Sequence, residues 1–292
     1  MRIFDCTTFY NEKMIMDLRF NILNEFVDKF VVVESIYSHS GKKKKLNFDI
    51  NDYPKFKDKI NYIIIDHEPS DLFSDDEISK NYHYKRINSI KRINQSYDYM
   101  KEGILEASDN DLIILSDNDE IPNLSSINKF NNDFYIFEQL FFYYKFNYLY
   151  DRIKWYGSKA CKKKKLTNFS SLRNLKNKKY PFWRIDTFFS DIKKMNLKII
   201  SNGGWHFTNL KTAEDIFDKF INFGHHDEFE ISNLTIADIK KNIENGIVFY
   251  DHLADKKNQN KWNYNYQLKM IDEKKLPSYL IKNKDKYLYW FK

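Results

Sequence analysis

The sequence predicts a doubly wound α/β fold built on a parallel sheet. Short apolar runs of strand length alternate with stretches of helical periodicity, the rhythm of strand–helix–strand units. Several of these runs close on acidic residues, as strands do when they deliver side chains to one edge of a sheet. Glycine and proline are also too few, at 7 and 5 of 292 residues, for long linkers. One compact body with a C-terminal extension is therefore expected.

Residues 2–8 read as the first strand. Ile15, Leu18, Ile22 and Phe26 then recur at helical spacing. A second strand over residues 30–33 ends at Glu34, and a third over 60–65 ends at Asp66 and His67. A long helical stretch covers roughly residues 82–106. Leu112, Ile113, Ile114 and Leu115 follow with the length and branching of a buried strand. That strand ends in Asp117, Asn118, Asp119 and Glu120, and Pro122 is expected to block any regular continuation. Because ligands bind at the carboxyl ends of strands in such sheets, Glu34, Asp66, Asp117 and Asp119 should share one functional edge.

The second half is more mixed. Residues 134–144 form an aromatic strand, and 197–200 another that leads into Asn202-Gly203-Gly204-Trp205-His206-Phe207. Two helices start at Thr212 and Thr235, each with an Asp three positions on, in the pattern of a capping box. Gly246 is placed to end the second.

Composition narrows the function classes. Aromatics make up 17% of the chain, so the core is built from rings as much as from aliphatics. Cys6 and Cys161 lack metal spacing and read as buried thiols in a reducing compartment. No apolar run approaches the length of a spanning helix, and Asp5 comes too early for a signal peptide. A soluble, cytoplasmic protein is expected. The net charge of +7 is concentrated in Lys42–Lys45 and Lys162–Lys165. These blocks are either solvated loops or the footprint of an anionic partner such as a diphosphate, an acidic glycan or a membrane surface. Nucleic acid is not expected, since 41 acidic residues offset the charge and no nucleic-acid module is present. The C-terminus interleaves Lys with Tyr287, Tyr289, Trp290 and Phe291. It either makes a peripheral membrane contact or packs its rings on the body.

The Asp-x-Asp at a strand end offers hard oxygens from a rigid element, which suits Mg²⁺ or Mn²⁺. An ordinary acidic turn is the alternative. Neutral Asn118 reduces repulsion between the flanking acids. His206, after a glycine pair, is either a structural histidine or a nitrogen ligand for Mn²⁺.

Four blocks, in order, carry a resemblance. They are Val27-Asp28-Lys29-Phe30-Val31-Val32-Val33-Glu34-Ser35 with Ser40-Gly41-Lys42, the segment 111–122, Gly204-Trp205-His206-Phe207, and Pro277-Ser278-Tyr279-Leu280 with Asn283 and Tyr287. Together they resemble glycosyltransferase family 17 over nearly the whole chain. The resemblance implies a GT-A-like, doubly wound nucleotide-sugar-binding sheet with an appended acceptor-binding half. On that reading residues 1–122 bind the nucleotide, 123–250 complete the metal site and bind the acceptor, and 251–292 are an extension.

It also implies a UDP-sugar donor, a divalent metal (Mn²⁺ before Mg²⁺), inversion at the anomeric carbon and a glycan acceptor. N-acetylglucosamine is the sugar the family suggests. Residue by residue, Glu34 would bond the base or ribose, and Arg92 would lie near the diphosphate. Asp117, Asn118 and Asp119 would face the donor. Asp119, Asp117 and His206 would form the metal site. Residues 42–45 and the loops over 141–181 depart from the family pattern, which leaves donor sugar and acceptor open.

The catalytic base should be a carboxylate near the acceptor hydroxyl. Asp186 is the first candidate, with Glu138, Asp227 and Glu228 behind it. Trp155, Tyr156, Trp183 and Trp205 are candidate platforms for sugar rings. Two other readings stay open: a metal-dependent nucleotidyltransferase or hydrolase, and a catalytically silent carbohydrate-binding protein of the same fold.

Overall fold

The computed structural model describes residues 1–127, 129–176, 196–222, 229, 232–253, 262 and 264–292. The β-branched runs of the N-terminal half become parallel strands β1 (Ile3–Thr8), β2 (Lys29–Ser35), β3 (Ile60–Ile65) and β4 (Leu112–Ser116). They lie in the order β3-β2-β1-β4. Period-two alternation sends Phe4, Cys6, Val31, Val33, Ile113 and Leu115 to one face. Ile3, Phe30, Val32, Leu112 and Ile114 go to the other.

Helix α1 (Lys13–Leu23) covers the second face through Ile15, Met16, Leu18, Phe20 and Leu23. Each such buried side chain contributes roughly 1.5–3 kcal/mol. After the short helix α2 (Asp75–Lys80), helix α3 (His83–Asp98) and the 3₁₀ turn Tyr99–Ile104 cover the first face through Tyr97, Met100 and Ile104. The single long helix expected over this stretch is thus an α-helix that tightens into a 3₁₀ turn. Gly103 lets that turn lie directly on β2, where an added Cβ would come within 2.2 Å of Val31.

The chain winds outward from β1 through β2 to β3 and then crosses back to place β4 on the other side of β1. This reversal opens a crevice at the carboxyl ends of β1 and β4, where open α/β sheets bind ligands. Pro122 does not stop regular structure. It ends a three-residue strand, β5 (Glu120–Pro122), paired with Gly204 across an antiparallel bridge. A last position on so short a strand tolerates the missing N–H.

Beyond this point the sheet is mixed rather than all parallel. The long aromatic strand β6 (Phe134–Tyr143) is followed by β7 (Tyr148–Leu149) and β8 (Trp155–Lys162). β8 inserts between β6 and β4, antiparallel to both. The link from β6 to β8 is too short for a crossover helix, so the chain can only return antiparallel. β6 therefore runs in the direction of β4, and β9 (Leu197–Ile200) and β10 (Gly204–Thr208) pair with it in parallel. The short helix α4 (Phe169–Arg173) follows β8, and Leu172 packs on the α3 face.

Helices α5 (Ala213–Asn222) and α6 (Ile236–Asn245) share a separate ring-rich core with Phe141, Tyr143, Tyr144 and Trp262. Thr235 and Asp238 form the expected reciprocal capping box, and Gly246 ends α6 in the left-handed region at φ 63°. Short pairs β11 (Ile247–Val248) with β12 (Tyr266–Gln267), and β13 (Lys269–Met270) with β7, complete the strands.

The C-terminal segment packs on the body. After helix α7 (Ser278–Lys282), buried Tyr287 donates to Asp17 at 3.0 Å, and Phe291 lies 5.5 Å from the Phe146 ring. This favours the packing reading for Tyr287 and Phe291, while Tyr289 stays exposed, and a membrane contact is not supported. Among the described residues no helix is long and apolar enough to cross a membrane. Both cysteines are buried free thiols, and burial pushes Cys161 up to about 12, which makes it a poor nucleophile. The lysine blocks are partly spent internally: Lys44 binds Glu34, and Lys162 and Lys165 face Asp133.

Candidate active site

The acidic turn after β4 is held from beneath by Arg19 of α1. Its guanidinium is fully buried and grips Asp5 of β1 through two bonds of 2.6 Å. A third nitrogen donates to the Glu120 carbonyl. The turn also closes on itself, with the Asp117 N–H donating to the Glu120 carboxylate at 3.1 Å. One helix thus ties β1 to the turn that follows β4.

Asp119 and His206 come together across this turn. The Phe207 N–H donates to the Asp119 carbonyl at 2.7 Å, and His206 pairs with Glu120 in the β10–β5 register. This brings His206 Nε2 to 3.2 Å from Asp119 Oδ1. Lys219 of α5 approaches the other Asp119 oxygen at 3.5 Å. Burial works against the Asp119 charge, but His206 and Lys219 outweigh it and hold the carboxyl well below its ordinary range. The imidazole stacks against both Phe141 and Trp155, each 4.4 Å away and near-parallel to it, and the two rings lie 4.9 Å from each other. Its Nδ1 is buried with no hydrogen-bond partner among the described residues.

Asp117 points elsewhere. It accepts from Tyr97 of α3 at 2.5 Å and from Arg173 of α4 at 3.0 Å. Burial raises its pKa, yet Arg173 and Tyr97 prevail and the net shift is downward. Asn118 donates to Glu12 at 2.7 Å, and Lys211 lies 3.1 Å from the same carboxylate. Among the described residues Glu120 has no cation within ion-pair distance. It accepts from Trp155 Nε1 at 2.8 Å, and burial together with Asp117 pushes it up to about 7.

Two cavities flank the turn. One of about 260 Å³ is lined by Asn11, Glu12, Asp119, Lys211 and Lys219. The other, of about 190 Å³, is lined by Asp117, Glu120, Trp155, Lys159 and Arg173. Gly157 makes the second possible: a Cβ there would sit 2.0 Å from Gln139 Oε1 and 2.8 Å from the Glu120 carboxylate.

The other sequence-derived residues lie apart from this pair. Glu34 is fully buried, with all its lone pairs committed to the chain itself. It accepts from Lys44, from the backbone of Asn47 (2.9 Å) and Phe48 (3.0 Å), and from Tyr62 (2.9 Å). A carboxylate offers about four acceptor sites, so none is left here for a ribose or base. Arg92 pairs with Glu68 at 2.6 Å and packs under Gly41, whose φ of 93° brings the backbone close to the guanidinium. Asp66 is exposed and bonds His67.

Glu138 pairs with Lys154 at 3.2 Å on the strand face opposite Gln139. Asp186, Asp227, Glu228 and Trp183 lie outside the described residues. Trp155 is stacked on His206, and buried Trp205 donates to the Lys275 carbonyl at 2.7 Å, so both rings are built into the body.

Sequence reasoning missed Glu12, Lys211, Lys219 and Arg173. Glu12 had a signal, since it lies just past the end of β1 as Glu34 ends β2. The three cations sit in or near ordinary helices and carry none.

A divalent cation can be tested against these groups. Among the described residues no cluster of three His, Cys, Asp or Glu is gathered for one. Asp119 and His206 fit as a pair: an oxygen and the imidazole Nε2 lie 3.2 Å apart, a donor set suited to Mn²⁺. The Asp117 carboxylate does not join them, because Arg173 and Tyr97 hold it on the far side of the turn.

Acids and cations gathered at the switch point of a doubly wound sheet define a ligand-binding α/β protein of the kind that works from its strand ends. The particular membership follows from comparison. A family model for glycosyltransferase family 17 matches residues 1–291, and the chain belongs to that family. It is a glycosyltransferase, which implies a sugar donor and a glycan acceptor. A comparison with curated proteins finds no match. Among solved structures, the inositol-1-phosphate CTP transferase from T. maritima is similar at 13% identity, covering 69% of this chain and 85% of that one with a TM-score of 0.31. A likeness of that degree carries no argument about the site.

Proposed function

We propose that the protein is an inverting, metal-dependent glycosyltransferase of GT-A type. It moves a sugar from a UDP-sugar donor to a glycan acceptor with a β linkage, and N-acetylglucosamine is the first sugar to test. The observation that carries this reading is the Asp119–His206 pair, 3.2 Å apart beside a cavity at the switch point.

An inverting transfer is a single displacement: the acceptor oxygen bonds the anomeric carbon as the bond to the nucleoside diphosphate breaks. Lys219 and Lys211 line the cavity and place positive charge where the leaving diphosphate gains negative charge. A divalent cation held by Asp119 and His206 would act as a Lewis acid on those oxygens. Asp117 keeps Arg173 aimed across the turn. Asp186, then Glu228, are the first carboxylates to test as the base that takes the acceptor proton, because Glu138 is committed to Lys154.

The test is UDP release from a panel of UDP-sugars with Mn²⁺, with EDTA, and in Asp119→Asn and His206→Ala. Metal-dependent release from one sugar, lost in both variants, supports the reading. Silence across the panel, with no Mn²⁺-dependent UDP binding by calorimetry, overturns it.

A further inference from the structure

A cavity beside the site just described has no role in it. About 400 Å³ in volume, it lies at the carboxyl ends of β6 and β10, the same edge of the sheet as the acidic turn. Lys145, Lys211, Lys240 and Lys292 line it, against Glu214 and Glu244. Among the described residues, Lys145, Lys240 and Lys292 have no carboxylate within ion-pair distance. Burial and the neighbouring Lys292 depress the Lys145 pKa, so cationic charge is concentrated there at some cost.

The walls carry rings as well. Lys145 donates to the Tyr289 carbonyl at 2.6 Å and sits 4.7 Å over the Tyr289 ring, which is 70% exposed. Trp290 stands edge-on to Tyr289 at 5.0 Å. The chain enters this wall through Tyr144, a bulky residue held at φ 67°. Such backbone strain persists only where surrounding structure enforces it, and it concentrates at ligand sites. Lys211 and Trp290 line both this cavity and the one containing Asp119, so the two are neighbours that share a wall.

We infer that this cavity is the acceptor subsite and that it takes an anionic saccharide, one bearing carboxylate, sulfate or phosphate groups. Lys145, Lys240 and Lys292, which have no carboxylate partner among the described residues, meet the charge, and the exposed Tyr289 ring offers an apolar platform to a sugar face. The assignment to the acceptor rests on the transferase reading above, since it is the wall shared with the Asp119 cavity that puts a bound glycan beside the donor.

The experiment titrates the full chain with a heparin-derived tetrasaccharide and, separately, with neutral maltotetraose. The variants are Lys145→Ala/Lys240→Ala, Lys240→Glu alone, and a control, Lys164→Ala/Lys274→Ala, that removes equal charge from exposed positions elsewhere. The expected result is that the cavity pair weakens the sulfated probe about tenfold and the control pair less than about twofold. Lys240→Glu, on an exposed helix face, should weaken it without disturbing the Lys145 contacts. Equal weakening by both pairs, or equally tight binding of maltotetraose, overturns the proposal. UDP with Mn²⁺ is titrated into the same proteins. If UDP binds while the cavity pair has no selective effect, the subsite is wrong and the donor site stands. If the cavity pair acts selectively while UDP fails to bind, the anionic-saccharide site stands and its acceptor role falls with the donor reading.

Discussion

Replacing Arg19 with methionine isolates the device that holds the acidic turn. In the native protein the guanidinium and the Asp5 carboxylate are both fully shielded from solvent and joined by two bonds of 2.6 Å. Methionine fills much of the same volume but leaves Asp5 charged, buried and without its cation, and it strips the Glu120 carbonyl of its donor. Breaking a buried pair from one side typically costs about 3–5 kcal/mol. That is a large part of the roughly 5–15 kcal/mol that holds a domain folded. Urea denaturation followed by circular dichroism, with the slope checked for constancy, measures the loss. The double variant Asp5→Leu/Arg19→Met removes both charges and should recover most of the stability, since replacing a whole buried pair with apolar groups is often neutral. Arg19→Lys keeps a charge for Asp5 but loses the fork, so it should fold while turnover drops. A cost for Arg19→Met below about 1 kcal/mol, the scale of a single hydrogen bond, would refute the reasoning. So would a double variant no better than the single one.

Three further outcomes follow from the geometry. Gly157→Ala drives a methyl to within 2.0 Å of Gln139 Oε1 and into the Glu120 carboxylate. It should lower stability by about 1–3 kcal/mol by overpacking, read as a fall in Tm. Glu34→Gln turns two of four acceptor sites into donors facing donors, so a cost of about 1–3 kcal/mol is expected. Limited proteolysis should then cut within residues 43–48, which the native carboxylate pins. His39 is half-buried, and burial together with Arg173 lowers its pKa from 6.5 to about 4. Its folded value lies below its unfolded one, so the neutral ring stabilises the fold above pH 6.5 and the contribution is lost as pH falls toward about 4. His39→Gln should make the acid limb of the stability profile shallower over that window.

The parallel half of the fold was legible because its signals are local. β2, β3 and β4 each carry a short, nearly unbroken apolar run, the mark of strands in a parallel sheet, and β3 matches its expected bounds of 60–65. β8 was not legible. Trp155, Tyr156, Gly157, Ser158, Lys159, Ala160, Cys161 and Lys162 alternate burial only in part, and the central position of β8 between β4 and β6 is a property of the assembled sheet. The same division runs through the site. Asp119 and His206 announce themselves by motif, and the structure brings them together. Asp117 belongs to the same motif, but Tyr97 and Arg173 aim it away, and neither lies near it in sequence. A sequence motif fixes which residues reach a turn; long-range partners fix where their side chains point.

Those partners also settle how one turn tolerates so many acids. Glu12, Asp117, Asp119 and Glu120 converge at the switch point, and unshielded carboxylates at such range repel strongly. Three have a cation of their own: Lys211 for Glu12, Arg173 for Asp117, and Lys219, with His206 when it is protonated, for Asp119. Each of these three is held below its ordinary pKa. Among the described residues Glu120 has only the Trp155 indole and one backbone N–H as hydrogen-bond donors, and it is the one pushed up to about 7. The arrangement therefore keeps three negative charges and lets the fourth carboxyl hold its proton near neutrality. That asymmetry gives the turn distinct sides, one with Asp119 and lysines, the other with Asp117, arginine and a carboxyl able to gain or lose a proton.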